Sequence, residues 1–195
     1  LSGDSALIGA VGDDLHTGAT YVFDFDGLTW TETQKLTPSD ASTEDVFGFS
    51  TSLSGNRVLI GAPGDNETGD SDGAVYVFDF INNSWAESQK LTSSDADNGR
   101  ISFGSSVSLF GDMALIGAQF DNNTGSAYLF EFNNNWSEVN KIFSSDIRRF
   151  DTFGISVSIS ENRLLIGAYG ADMVNKNDAG AAYIYDLDLI FKTGF

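Results

Sequence analysis

The chain has 195 residues, 41% hydrophobic and 13% aromatic, which is enough apolar material for a packed core and excludes a disordered polymer. Its 28 acidic and 10 basic residues leave a net charge of −18, which argues against nucleic acid and anionic membrane surfaces, since both are held by basic patches. Cysteine is absent, which rules out disulfides, thiolate catalysis and zinc-thiolate sites, and no stretch approaches the roughly 18 apolar residues of a membrane span.

The chain opens without Met and without a basic leader, inside a repeat, as expected of mature or partial material. Leu7–Ala10 reads Leu-Ile-Gly-Ala, and the same four residues return at Leu59–Ala62, Leu115–Ala118 and Leu165–Ala168, with starts 52, 56 and 50 residues apart. Periods of that size mark rings or stacks of supersecondary units. After Leu7–Ala10 comes a Gly/Asp-rich loop holding His16, then an alternating run through Tyr21, Phe23 and Phe25, then Trp30 in a further strand.

The second repeat shows the unit whole. Phe47–Leu53 alternates, Ser54-Gly55-Asn56 turns the chain, and Arg57–Ala62 returns as a second strand. A loop from Pro63 to Asp72 precedes a third strand, Gly73–Phe80, and Asn82-Asn83 turns into a fourth, Ser84–Leu91. A polar connection, Thr92–Arg100, leads to the next Phe103-Gly104. The fourth repeat carries Phe153-Gly154 and its own third strand, with a further strand expected at Leu189–Phe195 and Phe191 near the tryptophan position. Four strands per about 50 residues, with no helical periodicity, predict an all-β fold, a β-propeller of four-stranded antiparallel blades. Residues 1–195 form one such region, with repeats at about 1–46, 47–102, 103–152 and 153–195. The first repeat has no Phe-Gly strand before it, so the four blades are expected to be part of a larger ring.

The third strands keep a period of two: Tyr21/Phe23/Phe25, Tyr76/Phe78/Phe80, Tyr128/Phe130/Phe132 and Tyr183/Tyr185/Leu187. Stripes of this kind are core, and Trp30, Trp85 and Trp136 are expected to pack between blades. Gly48, Gly104 and Gly154, with Gly9, Gly61, Gly117 and Gly167, are expected where crowded inner strands bring backbones close. Asp40, Asp95 and Asp146, with Asp45 and Asp151, recur before the Phe-Gly strand and suggest turn or backbone capping.

These residues resemble FG-GAP repeats, the blades of integrin-α-like propellers, in a bacterial-type variant. Phe47-Gly48 through Gly61-Ala62-Pro63 carries the full pattern, whereas Val11, Gln119 and Tyr169 replace the proline elsewhere. The resemblance implies a propeller of about seven blades. It also implies calcium loops between first and second strands, but Ser54-Gly55-Asn56, Phe110-Gly111-Asp112 and Ser160-Glu161-Asn162 are too short to supply six or more oxygens. The loop between second and third strands offers another calcium candidate: Asp65, Asn66, Asp70 and Asp72 in the second repeat, with Asp-Ser-Asp-Gly at Asp70–Gly73. The alternative is that these are turn residues.

His16 is the only histidine, and any Ser-His-Asp triad would have to form around it. Paired carboxylates could serve a glycosidase, but no pair stands out from its repeat copies. Asn66, Asn82, Asn122 and Asn135 open N-glycosylation sequons beside loops. Together with the resemblance, these features suggest an extracellular or cell-surface, non-catalytic binding or scaffolding module. Its partner would be a protein, a glycan or a copy of itself, met through blade-end loops, with no nucleic acid and no membrane insertion. The alternative is a lectin with sugar pockets between blades, for which Phe120 and Tyr169 are the candidate aromatics; a glycoside hydrolase ranks third.

Overall fold

The computed structural model describes residues 1–66, 72–95, 101–171 and 179–193, with side chains described to residue 190. Among the described residues, fourteen strands form four antiparallel sheets in chain order. The first holds β1 (Ser5–Ala10), β2 (Ala19–Phe25) and β3 (Trp30–Leu36). The second holds β4 (Ser50–Ser54), β5 (Arg57–Ala62), β6 (Ala74–Ile81) and β7 (Ser84–Leu91). The third holds β8 (Phe103–Phe110), β9 (Met113–Ala118), β10 (Ser126–Asn133) and β11 (Asn135–Ile142). The fourth holds β12 (Ser156–Ser160), β13 (Arg163–Ala168) and β14 (Ala181–Asp186), followed by helix α1 (Leu187–Thr193).

Each sheet is a meander, because the connections are short enough to pair consecutive strands. The Gly55-Asn56 turn closes Ser54 on Arg57, and Gly111-Asp112 closes Phe110 on Met113, each glycine at positive φ (57° and 56°). The outer hairpins share a bulge at one place, after Val22, Val77 and Leu129. There the extra residue, Thr33 or Ser88, turns its hydroxyl onto the carbonyl of Val22 or Val77.

The period of two divides the Leu-Ile pairs of the second and third blades between two cores, whereas Ile8 of the first blade and Leu165 of the fourth are exposed. Ile60 lies with Val22, Leu36 and Tyr76, where the first sheet meets the second. Leu59 lies with Phe103, Ile116 and Tyr128, where the second meets the third. Leu115 then joins Phe153, Leu164 and Ile166 against the fourth. Sheet-on-sheet packing of this kind gives every complete blade two apolar faces. The Phe of each Phe-Gly pair sits edge-on to the third-strand tyrosine of its own blade: Phe47 on Tyr76 at 5.5 Å, Phe103 on Tyr128 at 5.3 Å, Phe153 on Tyr183 at 5.2 Å.

The glycines act as expected where inner strands crowd. Gly104 has φ 86°, and a Cβ on it would stand 2.6 Å from the Ala74 carbonyl oxygen; a Cβ on Gly61 would stand 2.1 Å from the Gly104 oxygen. A blade's second strand therefore touches the next blade's first strand backbone to backbone. Ser50 and Ser106 extend the seam by donating to the carbonyls of Gly104 and Gly154.

Three expectations are corrected. The first strand of the second blade begins at Ser50, after a bulge at which Gly48, at φ 88°, and Phe49 both donate their N–H to the Gly61 carbonyl. Residues Leu187–Thr193 are helical and make no fourth strand, so Phe191 holds no tryptophan-like place. Leu187 and Ile190, three residues apart, give that segment a buried helical face, and Asp188 favours its first turn. Trp85 and Trp136 are buried against the preceding sheet, whereas Trp30, with no sheet before it in the structure, is 45% exposed.

Candidate functional site

The outer rim of each interior blade carries a four-residue network that the chain assembles from distant segments. In the second blade the hydroxyl of Tyr76, on β6, lies 2.6 Å from Asp65 and 2.7 Å from Asp40 and shares its one proton between the two carboxylates. Lys90, on β7, meets the same two carboxylates at 2.9 and 2.7 Å. The third blade repeats the set: Lys141 pairs with Asp95 at 2.5 Å and Asp121 at 2.6 Å, and Tyr128 donates to Asp95 at 2.9 Å. One Asp of each set comes from the blade's own loop and the other from the connection leaving the preceding blade. The network is an inter-blade tie. The first blade keeps Lys35, Tyr21 and Asp13, with Lys35 2.6 Å from Asp13.

Burial opposes ionisation of Asp40, but the hydrogen bonds from Lys90 and Tyr76 outweigh it and hold the carboxyl below the ordinary range; Lys141 and Tyr128 do the same for Asp95. Burial and the adjacent carboxylates push the Tyr76 and Tyr128 hydroxyls well above the ordinary tyrosine value. Both therefore act as donors. Asp45 differs: burial raises its pKa, the Ser42 backbone N–H bond opposes this, and the nearby Asp65 charge adds to the rise.

Asp40 and Asp95 are thus side-chain anchors and not the backbone caps expected. Asp45 and Asp151 do cap, accepting the N–H of Ser42 and Arg148, each at 2.7 Å. For the calcium candidates, Asp65 turns its carboxylate to Lys90 and Tyr76, so an ammonium already stands where a cation would. Asn66 is exposed and Asp72 is buried with its backbone carbonyl on the N–H of Phe103, while Asp70 lies outside the described residues. Among the described residues no group of three or more His, Asp or Glu is arranged to hold a metal. The two-residue turns at Gly55-Asn56 and Gly111-Asp112 likewise do not fit an integrin-type calcium loop. The sequon residues Asn66, Asn82, Asn122 and Asn135 are all exposed, and Asn122 donates its amide to Asp121 at 2.9 Å. His16 lies on an exposed loop, 3.9 Å from Glu44.

A concave feature that joins aromatic and polar groups lies between the second and third blades. It is a cleft of about 320 Å³ whose walls include Val46, Pro63, Phe49, Phe120, Asn66 and Gln119, with Glu44 at its edge. Phe49 is 52% exposed and Phe120 40% exposed, unlike the stripe aromatics Tyr76, Phe78, Tyr128 and Phe130, which are buried, although the second stripe ends exposed at Phe80. The loop after β9, a 3-10 turn at Asp121–Asn123 with Asn122 at φ 49°, sets Phe120 at the rim. Of the two aromatics expected for a sugar pocket, Phe120 is at this cleft and Tyr169 is exposed in the corresponding loop of the fourth blade. Phe49 escaped the sequence reading. The signal was its place right after the Phe-Gly pair, where the other repeats have Ser105 and Ile155.

A model of the FG-GAP repeat matches residues 30–78, 85–130 and 136–185. Each matched segment takes the outer strand of one sheet and the three strands that follow in the next. A search of curated proteins gives no match. Among solved structures, a mutant of the lectin from Aleuria aurantia, in complex with alpha-methyl-L-fucoside, aligns with a TM-score of 0.52 at 12% identity. The alignment covers 94% of this chain and 61% of that one, so the chain spans less than two thirds of the lectin's length. At that identity the likeness speaks for the fold alone. Three consecutive repeat matches, on four sheets tied edge to edge by one recurring set of contacts, place this chain in the FG-GAP repeat family, with a β-propeller fold.

Proposed function

We propose that the chain is a non-catalytic binding module, working outside the cell or at its surface, and that its ligand seats in the cleft between the second and third blades. The observation that carries this reading is the cleft's composition: two exposed phenylalanines beside the amides of Asn66 and Gln119 and the carboxylate of Glu44. Ligand sites pair apolar walls with a few polar groups that fix orientation. The polar clusters elsewhere on the rim are engaged in tying blades together, which leaves them little part in chemistry.

The same composition favours carbohydrate over protein as ligand. An aromatic face stacks on the apolar side of a sugar ring, while amides and a carboxylate meet its hydroxyls. A glycan array probed with the full chain tests this. Retention of a defined glycan class, lost in Phe49→Ala and Phe120→Ala with melting unchanged, is the expected result. Silence across the array, with a protein ligand captured through the same two residues, would support the module and reject carbohydrate. Turnover of aryl glycosides would reject the non-catalytic reading.

A further inference from the structure

Among the described residues, the cleft between the second and third blades carries one acidic side chain in its walls, Glu44, and no basic one. The other polar members, Asn66, Ser102 and Gln119, are neutral. An adjoining cavity shares Asn66 and contains Lys90, but Asp40 and Asp65 hold that ammonium at 2.7 and 2.9 Å, and Asp45 adds a third acid there. His16, 3.9 Å from Glu44, gains a positive charge only on protonation. An acid group on a ligand would therefore meet like charge in this cleft and no fixed countercharge.

The turn that carries Glu44 does not itself call for an acid. Phe150 holds the same place in the fourth blade, three residues before the phenylalanine of Phe-Gly. Both residues have left-handed backbone, with φ 70° and 74°. Both turns are closed by the next residue, Asp45 on the Ser42 N–H and Asp151 on the Arg148 N–H. One backbone thus presents an acid at the cleft and, in the fourth blade, an aromatic ring with the Arg149 guanidinium 4.9 Å from its centre. That backbone is braced on two sides. A Cβ on Gly64 would stand 2.0 Å from the Glu44 carbonyl oxygen, and the Val46 N–H bonds to the His16 carbonyl at 2.9 Å.

We propose that Glu44 sets the charge of the ligand: the cleft takes sugars without an acid group and turns away uronic, sialic and sulfated ones. This rests on the carbohydrate reading of the cleft and narrows it to a substrate class. Stacking on Phe49 and Phe120 serves either kind of sugar, and the amides meet hydroxyls of both. The Glu44 carboxylate separates them, since it accepts from a hydroxyl but repels a carboxylate or sulfate. The excess of 28 acidic over 10 basic residues acts in the same direction.

The probes are matched pairs that differ in one group: glucose with glucuronic acid, galactose with galacturonic acid, and mannose with mannuronic acid. Each is titrated by NMR into the full 195-residue chain at low ionic strength and about pH 8, where an ordinary histidine is neutral. A neutral sugar should bind about fivefold more tightly than its acid, the size of the repulsion between unit charges about 4 Å apart in water. In Glu44→Gln that ratio should fall to within about twofold, and Glu44→Lys should reverse it. Salt of about 0.5 M should shrink the ratio in the wild-type chain, which a purely steric preference would not show. An acid that binds as tightly as its neutral partner, or a ratio that survives in Glu44→Gln, would overturn this inference and leave the carbohydrate reading standing. Binding by none of the six would overturn both.

Discussion

Gln89 and Trp136 are joined by a closed pair of hydrogen bonds: the side-chain amide donates to the Trp136 carbonyl and accepts from its N–H, both at 2.9 Å. The same pair joins Gln34 to Trp85, so neighbouring outer strands are linked although no sheet runs across them. Two such bonds contribute about 2 kcal/mol together. Gln89→Ala should therefore lower unfolding stability by about that amount in urea denaturation, and Gln34→Ala similarly. Asn140→Ala, at the same place on β11, which meets no such strand among the described residues of the fourth blade, should cost less than about 0.5 kcal/mol. Equal losses at all three positions would show that the amide acts within its own blade.

The rim networks differ in burial and should differ in worth. Lys141→Met leaves Asp121, with a side chain only 4% exposed, and Asp95 without their cation, and should cost about 3 kcal/mol. Lys35→Met removes one exposed, solvent-screened pair with Asp13 and should cost clearly less than Lys141→Met. Chemical denaturation of the two variants side by side checks the ranking.

The pH dependence follows from Asp40 and Asp95, whose folded pKa values lie below the ordinary 3.8. A depressed carboxyl stabilises the fold fully above its unfolded value, and that contribution is lost as the pH falls from 3.8 through the folded value. Asp45, raised by burial, acts in the opposite sense and gives up stability as the pH rises through its folded value. Lys141 is raised above 10.5, so its contribution persists at neutral pH and goes as the pH rises through the folded value. Melting temperature should therefore drop steeply below about pH 4, and Asp95→Asn should blunt that drop.

Backbone proximity at the inner seam gives a sharper contrast. Gly104→Ala combines φ 86° with a Cβ 2.6 Å from the Ala74 oxygen, and should cost more than about 3 kcal/mol or prevent folding. Gly55→Ala, at φ 57° with open space around it, should cost about 1 kcal/mol. Thermal melts of both variants separate crowding from turn strain.

What could be read from the sequence was whatever the repeat states locally. The Leu-Ile-Gly-Ala strands, the tyrosine stripes and the Gly-Asn turn each declare themselves within ten residues, and all lie where expected except Leu187, the last of the fourth stripe, which opens the helix. The rim networks were hidden because Tyr76 finds Asp40 thirty-six residues away and Lys90 finds it fifty away, across a blade boundary. Asp40 therefore read as a turn residue. The C-terminal helix was hidden by expecting the repeat to continue, although Leu187 and Ile190 already had helical spacing. Phe49 was hidden because alternation placed it inside a strand, whereas the strand begins after the bulge at Gly48 and Phe49.

The cleft between the second and third blades is best tested by saturation-transfer NMR of the full chain with a panel of monosaccharides, repeated on Phe49→Ala and Phe120→Ala. Transfer to at least one sugar, abolished in both variants while their melting temperatures stay within a few degrees of wild type, is the expected result. Transfer that survives both substitutions would place the ligand elsewhere and contradict the assignment of this cleft.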